Sequence, residues 1–262
     1  MLNIGLDLLE QVGGIAKKAG QEILKVYETN FDVEKKSDNS PVTEADKRSE
    51  DLILRSISMG ITDKFPIISE EAFSSGTAPD INNAPFWLVD PLDGTKEFIN
   101  RNGEFTINIA LIDAGRPALG VIHAPVANQT YWGAAVGSFS QFGDDEEKLI
   151  TCREISPDGI TAIISRSHRG ENIEEFLSDY NVANETIAGS SLKFCRIAEG
   201  KADIYPRLGR TMEWDTAAGH AILNFAGGMI IDLEGNPLRY AKDGFENPHF
   251  IAQSAGVIKK NC

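Results

Sequence analysis

Six consecutive residues, Asp90-Pro91-Leu92-Asp93-Gly94-Thr95, concentrate the chemistry of this chain. They follow an apolar run, Phe86-Trp87-Leu88-Val89, that reads as a buried strand. Two carboxylates three positions apart at a strand end can face one cation, with Pro91 stiffening the turn between them. Gly94 lets the backbone approach a ligand, and Thr95 can open a helix whose free N–H groups favour a phosphate. Asp, Pro and Gly are also ordinary turn residues, so a plain turn is the competing reading.

Three further segments carry similar groups. Ser69-Glu70-Glu71 follows the apolar Ile67-Ile68, and its paired carboxylates read either as ligands or as a solvated surface pair. In Trp214-Asp215-Thr216-Ala217-Ala218-Gly219, Asp215 is a ligand candidate or a helix N-cap with small residues packed behind it. Thr43-Glu44-Ala45-Asp46 reads as a capping box with Asp in place of Glu. All these donors are hard oxygens and no His or Cys cluster accompanies them, which selects Mg2+-like ions over zinc or copper. Carboxylates alone would repel a phosphorylated substrate, so such a site needs metal to reverse its local charge. Two neighbouring metals could bind the attacking water and the leaving oxygen of an in-line phosphate displacement.

The elements that must position these groups follow from periodicity. Apolar residues at Leu8, Val12, Ile15, Ala16, Ala19, Ile23, Val26 and Tyr27 predict one face of a long helix. That face suits a core, with membrane-surface contact through Lys17, Lys18 and Lys25 as the weaker reading. A second helix is predicted from Thr43 to Ile57, with Leu52, Ile53 and Ile57 inward. Short apolar runs at 65–68, 86–89, 105–112, 118–123 and 130–132 predict strands, and Ser74 to Ala84 a polar loop. Beyond the acidic stretch 143–147, strands at 161–165, 203–205 and 229–231 alternate with helices at 170–180, 190–199 and 215–225. A soft boundary near residue 150 therefore separates a helix-plus-antiparallel-sheet half, 1–150, from an α/β half, 151–262.

Composition narrows the class. The chain has 262 residues, is 42% hydrophobic and 24% charged, and its net charge is −14. It is long enough for a sizeable core without staples. Its pI of about 4.7 argues against nucleic-acid polymers as partners. No apolar run approaches a membrane span, and the start lacks the basic residues of a signal peptide. Cys152, Cys195 and Cys262 have no metal-ligand spacing, which suggests reduced thiols in a cytoplasm.

The motifs, in this order and spacing, resemble the inositol monophosphatase superfamily of Mg2+-dependent, lithium-sensitive phosphatases, and the resemblance covers essentially the whole chain. Within it the chain is most similar to the CysQ-type 3'(2'),5'-bisphosphate nucleotidases. The narrower likeness rests on Asp93-Gly94-Thr95-Lys96-Glu97-Phe98 continuing to Gly103-Glu104-Phe105-Thr106, and on Ser165-Arg166-Ser167-His168. It rests also on Gly189-Ser190-Ser191-Leu192-Lys193-Phe194 and Arg210-Thr211-Met212-Glu213-Trp214-Asp215. Glu97 departs from the Asn that inositol monophosphatases usually carry there.

The resemblance implies an α-β-α-β-α layered fold with two lobes, mixing α+β and α/β character, and a site between them. It implies Glu70, Asp90 and the Leu92 carbonyl on one Mg2+, and Asp90, Asp93 and Asp215 on a second. Thr95, hydrogen-bonded to Asp46, would orient and help deprotonate the nucleophilic water, with Glu70 assisting. The backbone of Asp93, Gly94 and Thr95 would bind the scissile phosphate. The implied substrate is 3'-phosphoadenosine 5'-phosphate, hydrolysed to AMP and phosphate, with the 5'-phosphosulfate analogue as a second substrate. Ser190, Lys193, Arg166, His168 and Arg207 are the candidates for its second phosphate and base. The alternatives are an inositol or other sugar-phosphate phosphatase on the same metal site, and a non-catalytic metal-binding regulator. The expected setting is cytoplasmic, with contact at the inner membrane face left open, and the oligomeric state is open between monomer and homodimer.

Overall fold

The structure is a computed structural model, and it describes residues 2–36, 41–81, 84–166 and 172–260. The chain starts with α1 (Leu6–Tyr27), β1 (Val33–Lys35), β2 (Pro41–Thr43) and α2 (Glu44–Gly60), then β3 (Ile67–Ser69) and α3 (Glu70–Ser74). Next come β4 (Phe86–Asp93), α4 (Thr95–Ile99), β5 (Thr106–Asp113), β6 (Arg116–Ala124), β7 (Gln129–Ala134), β8 (Gly137–Phe142) and β9 (Lys148–Ile150). The remainder is β10 (Ile160–Ser165), α5 (Ile173–Ser178), β11 (Val182–Ala188), α6 (Leu192–Ala198), β12 (Ile204–Arg207), α7 (Glu213–Phe225), β13 (Gly228–Asp232) and β14 (Phe250–Ser254). A single 3-10 turn, Asp243–Phe245, precedes β14.

Two sheets carry the fold. The first runs β3-β4-β5-β6-β7-β8-β9 and the second β11-β10-β12-β14-β13. The apolar stripe of α1 (Val12, Ala16, Ala19 and Ile23) is buried with Ile53 and Ile57 of α2 against Trp87, Val89, Ile109 and Val121 of the first sheet. This is the core-facing outcome expected from three- and four-residue spacing. The opposite face of that sheet packs on α7 and α6, through Ala217, Ala218, Ile222 and Phe194, and these helices also reach Ala252 and Phe250 of the second sheet. On the outer side of the second sheet, Ile173 and Leu177 of α5 meet Ile160, Ile204 and Ile251. The order is therefore helix, sheet, helix, sheet, helix, as the resemblance implies.

Close approach inside the sandwich depends on glycine. A Cβ on Gly219 of α7 would stand 2.3 Å from the Phe194 ring, and one on Gly120 of β6 2.4 Å from the Ala218 carbonyl. Small residues thus let α7 lie directly on the first sheet, although it comes from the later half of the chain.

Several elements depart from the sequence reading. The predicted helix 190–199 starts only at Leu192, and Ser190 is not its N-cap, because its backbone is left-handed with φ of 40°. The described part of the predicted helix 170–180 is Ile173–Ser178, and Asp203 precedes β12 instead of opening it. β8, β9, β11 and β14 carry no clear alternation. β11 is an exposed edge strand and β14 is buried along its whole length, so neither shows the period of a half-buried strand. Among the described residues, no helix is long and apolar enough to cross a membrane. Cys195 is buried and Cys152 half-buried, both as free thiols, and Cys262 lies outside the described residues.

Candidate active site

Strand pairing assembles the acidic groups. β3 and β4 run parallel with Ser69 level with Val89, so Glu70 and Asp90 leave the sheet at the same edge. Asp90 pairs with Asn108 of β5 and Asp93 with Thr106, so three steps along β4 answer two along β5. That extra residue is a bulge. In a regular strand, positions three apart point to opposite faces, and the bulge brings both carboxylates to one side. The Leu92 N–H donates to Asp90 Oδ1 at 3.0 Å, and Ser49 of α2 donates to the Pro91 carbonyl at 2.7 Å, which pins the bulged turn. Gly94, with φ of 92°, then reverses the chain into α4.

Asp46 sits beneath this turn, 1% exposed. Its Oδ2 closes the expected capping box, accepting from Thr43 N at 2.8 Å and Thr43 Oγ1 at 2.7 Å. Its Oδ1 faces Thr95 Oγ1 at 3.4 Å, a long hydrogen bond, and Thr95 Oγ1 is also 3.4 Å from the Leu92 carbonyl. Capping and the approach to Thr95 are thus compatible in one carboxylate. Asp215 likewise both caps and faces the cavity. It is the third residue of α7, not its N-cap, and its Oδ2 accepts from Met212 N at 2.9 Å.

Glu70, Asp90, Leu92, Asp93, Gly94, Thr95, Ser190, Lys193, Arg207 and Asp215 all line one cavity of about 510 Å³. Arg166 does not. Its guanidinium is paired with Glu104, at 2.9 and 2.8 Å. His168 lies outside the described residues.

The electrostatics are those of crowded acids. Burial, then the Glu70, Asp93 and Asp215 charges, push Asp90 well above the usual carboxylate range. Burial pushes Asp93 up to about 6, against the pull of Lys193, and burial followed by the Asp93 and Glu70 charges pushes Asp215 up to about 8. Asp46 is raised to about 6 by burial. Lys193 moves the other way, lowered to about 8 by burial although Asp93 favours its charge. Like charges this close call for a cation.

Several residues of the site escaped the sequence reading. Lys36, 7% exposed at its side chain, pairs with Glu70 at 2.6 Å and Glu71 at 2.5 Å. Burial alone would lower its pKa, and the two glutamates override this and raise it. Thr106 Oγ1 and Asn108 Nδ2 approach Asp93 Oδ2 at 3.5 Å, and Ser191 Oγ joins Thr106 at 2.7 Å and Asn108 Oδ1 at 2.6 Å. Thr106 stood in the sequence only as the end of the Gly103-Glu104-Phe105-Thr106 motif, and the register of β4 against β5, a tertiary property here, sets it and Asn108 beside the acids. Among the described residues no three His, Cys, Asp or Glu side chains form a finished metal-ligand cluster. The donor set nevertheless fits a hard divalent cation, since every ligand candidate is a carboxylate or carbonyl oxygen, and burial followed by neighbouring carboxylates raises the proton affinity of Asp90 and Asp215.

Comparison with known proteins agrees with this fold. Residues 7–260 match the inositol monophosphatase family. The chain is 46% identical over 246 residues to the 3'(2'),5'-bisphosphate nucleotidase CysQ of Escherichia coli (strain K12), covering 93% of this chain and 98% of that protein. Its fold is similar to that of CysQ from Bacteroides thetaiotaomicron, with a TM-score of 0.79 at 35% identity, covering 96% of this chain and 99% of that one. It is also similar to the Thermotoga maritima IMPase, with a TM-score of 0.77 at 26% identity over 95% of this chain and 92% of that one. The architecture, the order of the acidic motifs and the length of the match lead to one conclusion: this chain belongs to the inositol monophosphatase family.

Proposed function

We propose that the chain is a phosphoric monoester hydrolase that removes the 3'-phosphate of 3'-phosphoadenosine 5'-phosphate, releasing AMP and phosphate. The observation that carries this reading is a cavity lined by both acids and cations: Asp90, Asp93 and Asp215 share it with Lys193, Arg207 and Arg210. Acids suit a metal-held scissile phosphate, and the cations suit a second phosphate that an inositol monophosphate lacks. Arg207 Nε is buried with no hydrogen-bond partner among the described residues, a donor suited to an anionic ligand. Relatives named as bisphosphate nucleotidases at 46% identity support the same choice.

Glu70, Asp90, the Leu92 carbonyl, Asp93 and Asp215 would hold Mg2+. When bound, it supplies charge neutralisation at the phosphoryl oxygens and lowers the pKa of a bound water. The chain's own groups do the rest. Thr95 Oγ1 orients the attacking water, and Asp46 Oδ1 accepts the Thr95 hydroxyl proton, so Asp46 and Thr95 form a path for the water's proton, with Glu70 assisting. The backbone of Asp93, Gly94 and Thr95 cradles the transferred phosphate at the start of α4. Lys193, Arg207 and the Ser190 turn meet the far side of the nucleotide. Residues 1–150 and 151–262 act as two lobes that close the site between them. On this reading the enzyme works in the cytoplasm.

The test is phosphate release with Mg2+ from 3'-phosphoadenosine 5'-phosphate and from inositol 1-phosphate at equal concentration. The nucleotide should be the better substrate by more than tenfold in kcat/KM. Preference for inositol 1-phosphate would overturn the substrate assignment, and full activity in excess chelator would overturn the metal assignment.

A further inference from the structure

Glu104 lies in the connection between α4 and β5, and Arg166 just beyond the end of β10, so their ion pair joins the two sheets. Glu104 does more than pair with Arg166. Its Oε2 accepts the Gly189 N–H at 2.8 Å, and its backbone carbonyl accepts the Ser190 hydroxyl at 2.9 Å. One residue from the first sheet's side thus grips two consecutive residues of the turn that leads into α6.

That turn is unusual. Ser190 has φ of 40°, in the left-handed region that a residue with a Cβ avoids. Bonds from Glu104 to Gly189 and to Ser190 itself hold it there. The packing leaves no slack, because a Cβ on Gly189 would lie 3.0 Å from the Cβ, carbonyl oxygen and Oε2 of Glu104. A Cβ on Gly94 would lie 3.3 Å from Ser190 Cβ and 3.4 Å from the Glu104 carbonyl, so the phosphate turn and the Ser190 turn share this wedge. In its left-handed conformation Ser190 presents its carbonyl to Lys193 Nζ, which accordingly donates to it and stands 5.2 Å from the centre of the Tyr205 ring.

We propose that Glu104 is a positioning residue for nucleotide recognition: by locking Ser190 in its left-handed conformation, it sets where the Lys193 ammonium stands relative to Asp93-Gly94-Thr95. This rests on the proposed function, in which Lys193 meets the second phosphate. Glu104 touches no substrate, and its effect passes through the Ser190 carbonyl. The start of α6 has separate support, since Ser191 is bonded to Thr106 and Asn108 at 2.7 and 2.6 Å. Truncating the Glu104 side chain removes the hold on Gly189 but leaves the Ser190 bond to the residue-104 carbonyl, so it should loosen the Ser190 turn without dismantling α6.

The experiment compares steady-state kinetics of the Mg2+-loaded wild type with Glu104→Ala, Glu104→Gln and Arg166→Met. The substrates are 3'-phosphoadenosine 5'-phosphate and 3'-AMP, which has the same scissile ester but no 5'-phosphate. Glu104→Ala should raise KM for the bisphosphate about tenfold, with kcat within about threefold and KM for 3'-AMP within about threefold. Glu104→Gln keeps an oxygen acceptor for the Gly189 N–H and should fall between wild type and alanine. Arg166→Met breaks only the ion pair and should move KM less than threefold.

Five outcomes overturn the assignment. Equal KM increases for both substrates would mean that Glu104 does not act through the second-phosphate contact. A fall in kcat that tracks a fall in Tm would mean a general structural role. A larger effect for Arg166→Met than for Glu104→Ala would put Arg166 itself on the substrate. A wild type that hydrolyses neither nucleotide overturns the parent reading and this one together, whereas an active wild type with an unchanged Glu104→Ala overturns this one alone.

Discussion

Asp93→Asn should abolish turnover and yet stabilise the metal-free protein. The Asp93 carboxyl is pushed from 3.8 up to about 6, by burial first, with the neighbouring Glu97 charge adding to it. The folded state therefore binds this proton more tightly than the unfolded state. Ionising it costs nothing below about pH 4, and the penalty grows as pH rises from 3.8 to about 6 and is complete above that. Two pKa units at about 1.4 kcal/mol each give about 3 kcal/mol. The neutral amide introduced by Asp93→Asn avoids that penalty. It also withdraws support from the Lys193 ammonium, so the net gain at pH 8 should be about 1–3 kcal/mol. For a chain of 262 residues that raises Tm by about 2–6 °C. The assay is thermal unfolding of wild type and variant in excess chelator at pH 8 and pH 4.5, where the difference should shrink to about a third at the lower pH. Activity should fall by more than a hundredfold. A variant less stable than wild type by the same margin at both pH values would show that burial does not penalise the ionised Asp93 carboxylate, and activity within tenfold of wild type would refute its role as a ligand.

The same repulsion predicts how metal acts on stability. Adding Mg2+ should raise the wild-type Tm more at pH 8 than at pH 5, because Asp93 and Asp215 are pushed up to about 6 and about 8 and must lose protons to bind it; an equal rise at both pH values would count against these acids as its ligands. Lys193→Ala should raise KM for 3'-phosphoadenosine 5'-phosphate by tenfold or more and leave KM for a monophosphate nearly unchanged, as measured by initial rates; equal effects would remove Lys193 from the second-phosphate contact. Gly219→Ala should destabilise the protein by about 1–3 kcal/mol or prevent soluble expression, since its new Cβ would stand 2.3 Å from the Phe194 ring; an unchanged midpoint in denaturant titration would show that α6 and α7 can shift apart freely.

Much of the fold was legible in the sequence because its strongest signals are local. The stripe from Leu8 to Val26 needs only a 3.6-residue period, and Thr43 with Asp46 needs only a three-residue spacing to close a capping box. Strands β4 to β7 showed as apolar runs because both faces of the first sheet are covered by helices. β11 and β14 were illegible for opposite reasons, one too exposed and the other too uniformly buried to alternate.

The candidate site divides in the same way. The identities and order of Glu70, Asp90, Asp93 and Asp215, and with them the preference for a hard cation, are properties of the sequence, since donor chemistry belongs to the side chain itself. Their convergence is not. It depends on the parallel register that sets Glu70 beside Asp90, on the bulge that turns Asp90 and Asp93 to one side, and on small residues that let α7 carry Asp215 across to the first sheet. The partners of charged residues were likewise decided by the fold, because a long side chain pairs with whatever the packing brings within reach. Arg166 was expected at the substrate and is paired with Glu104, while Lys36, absent from the sequence reading, closes on Glu70 and Glu71. Sequence spacing specifies which groups are available, and only the three-dimensional packing specifies which of them meet.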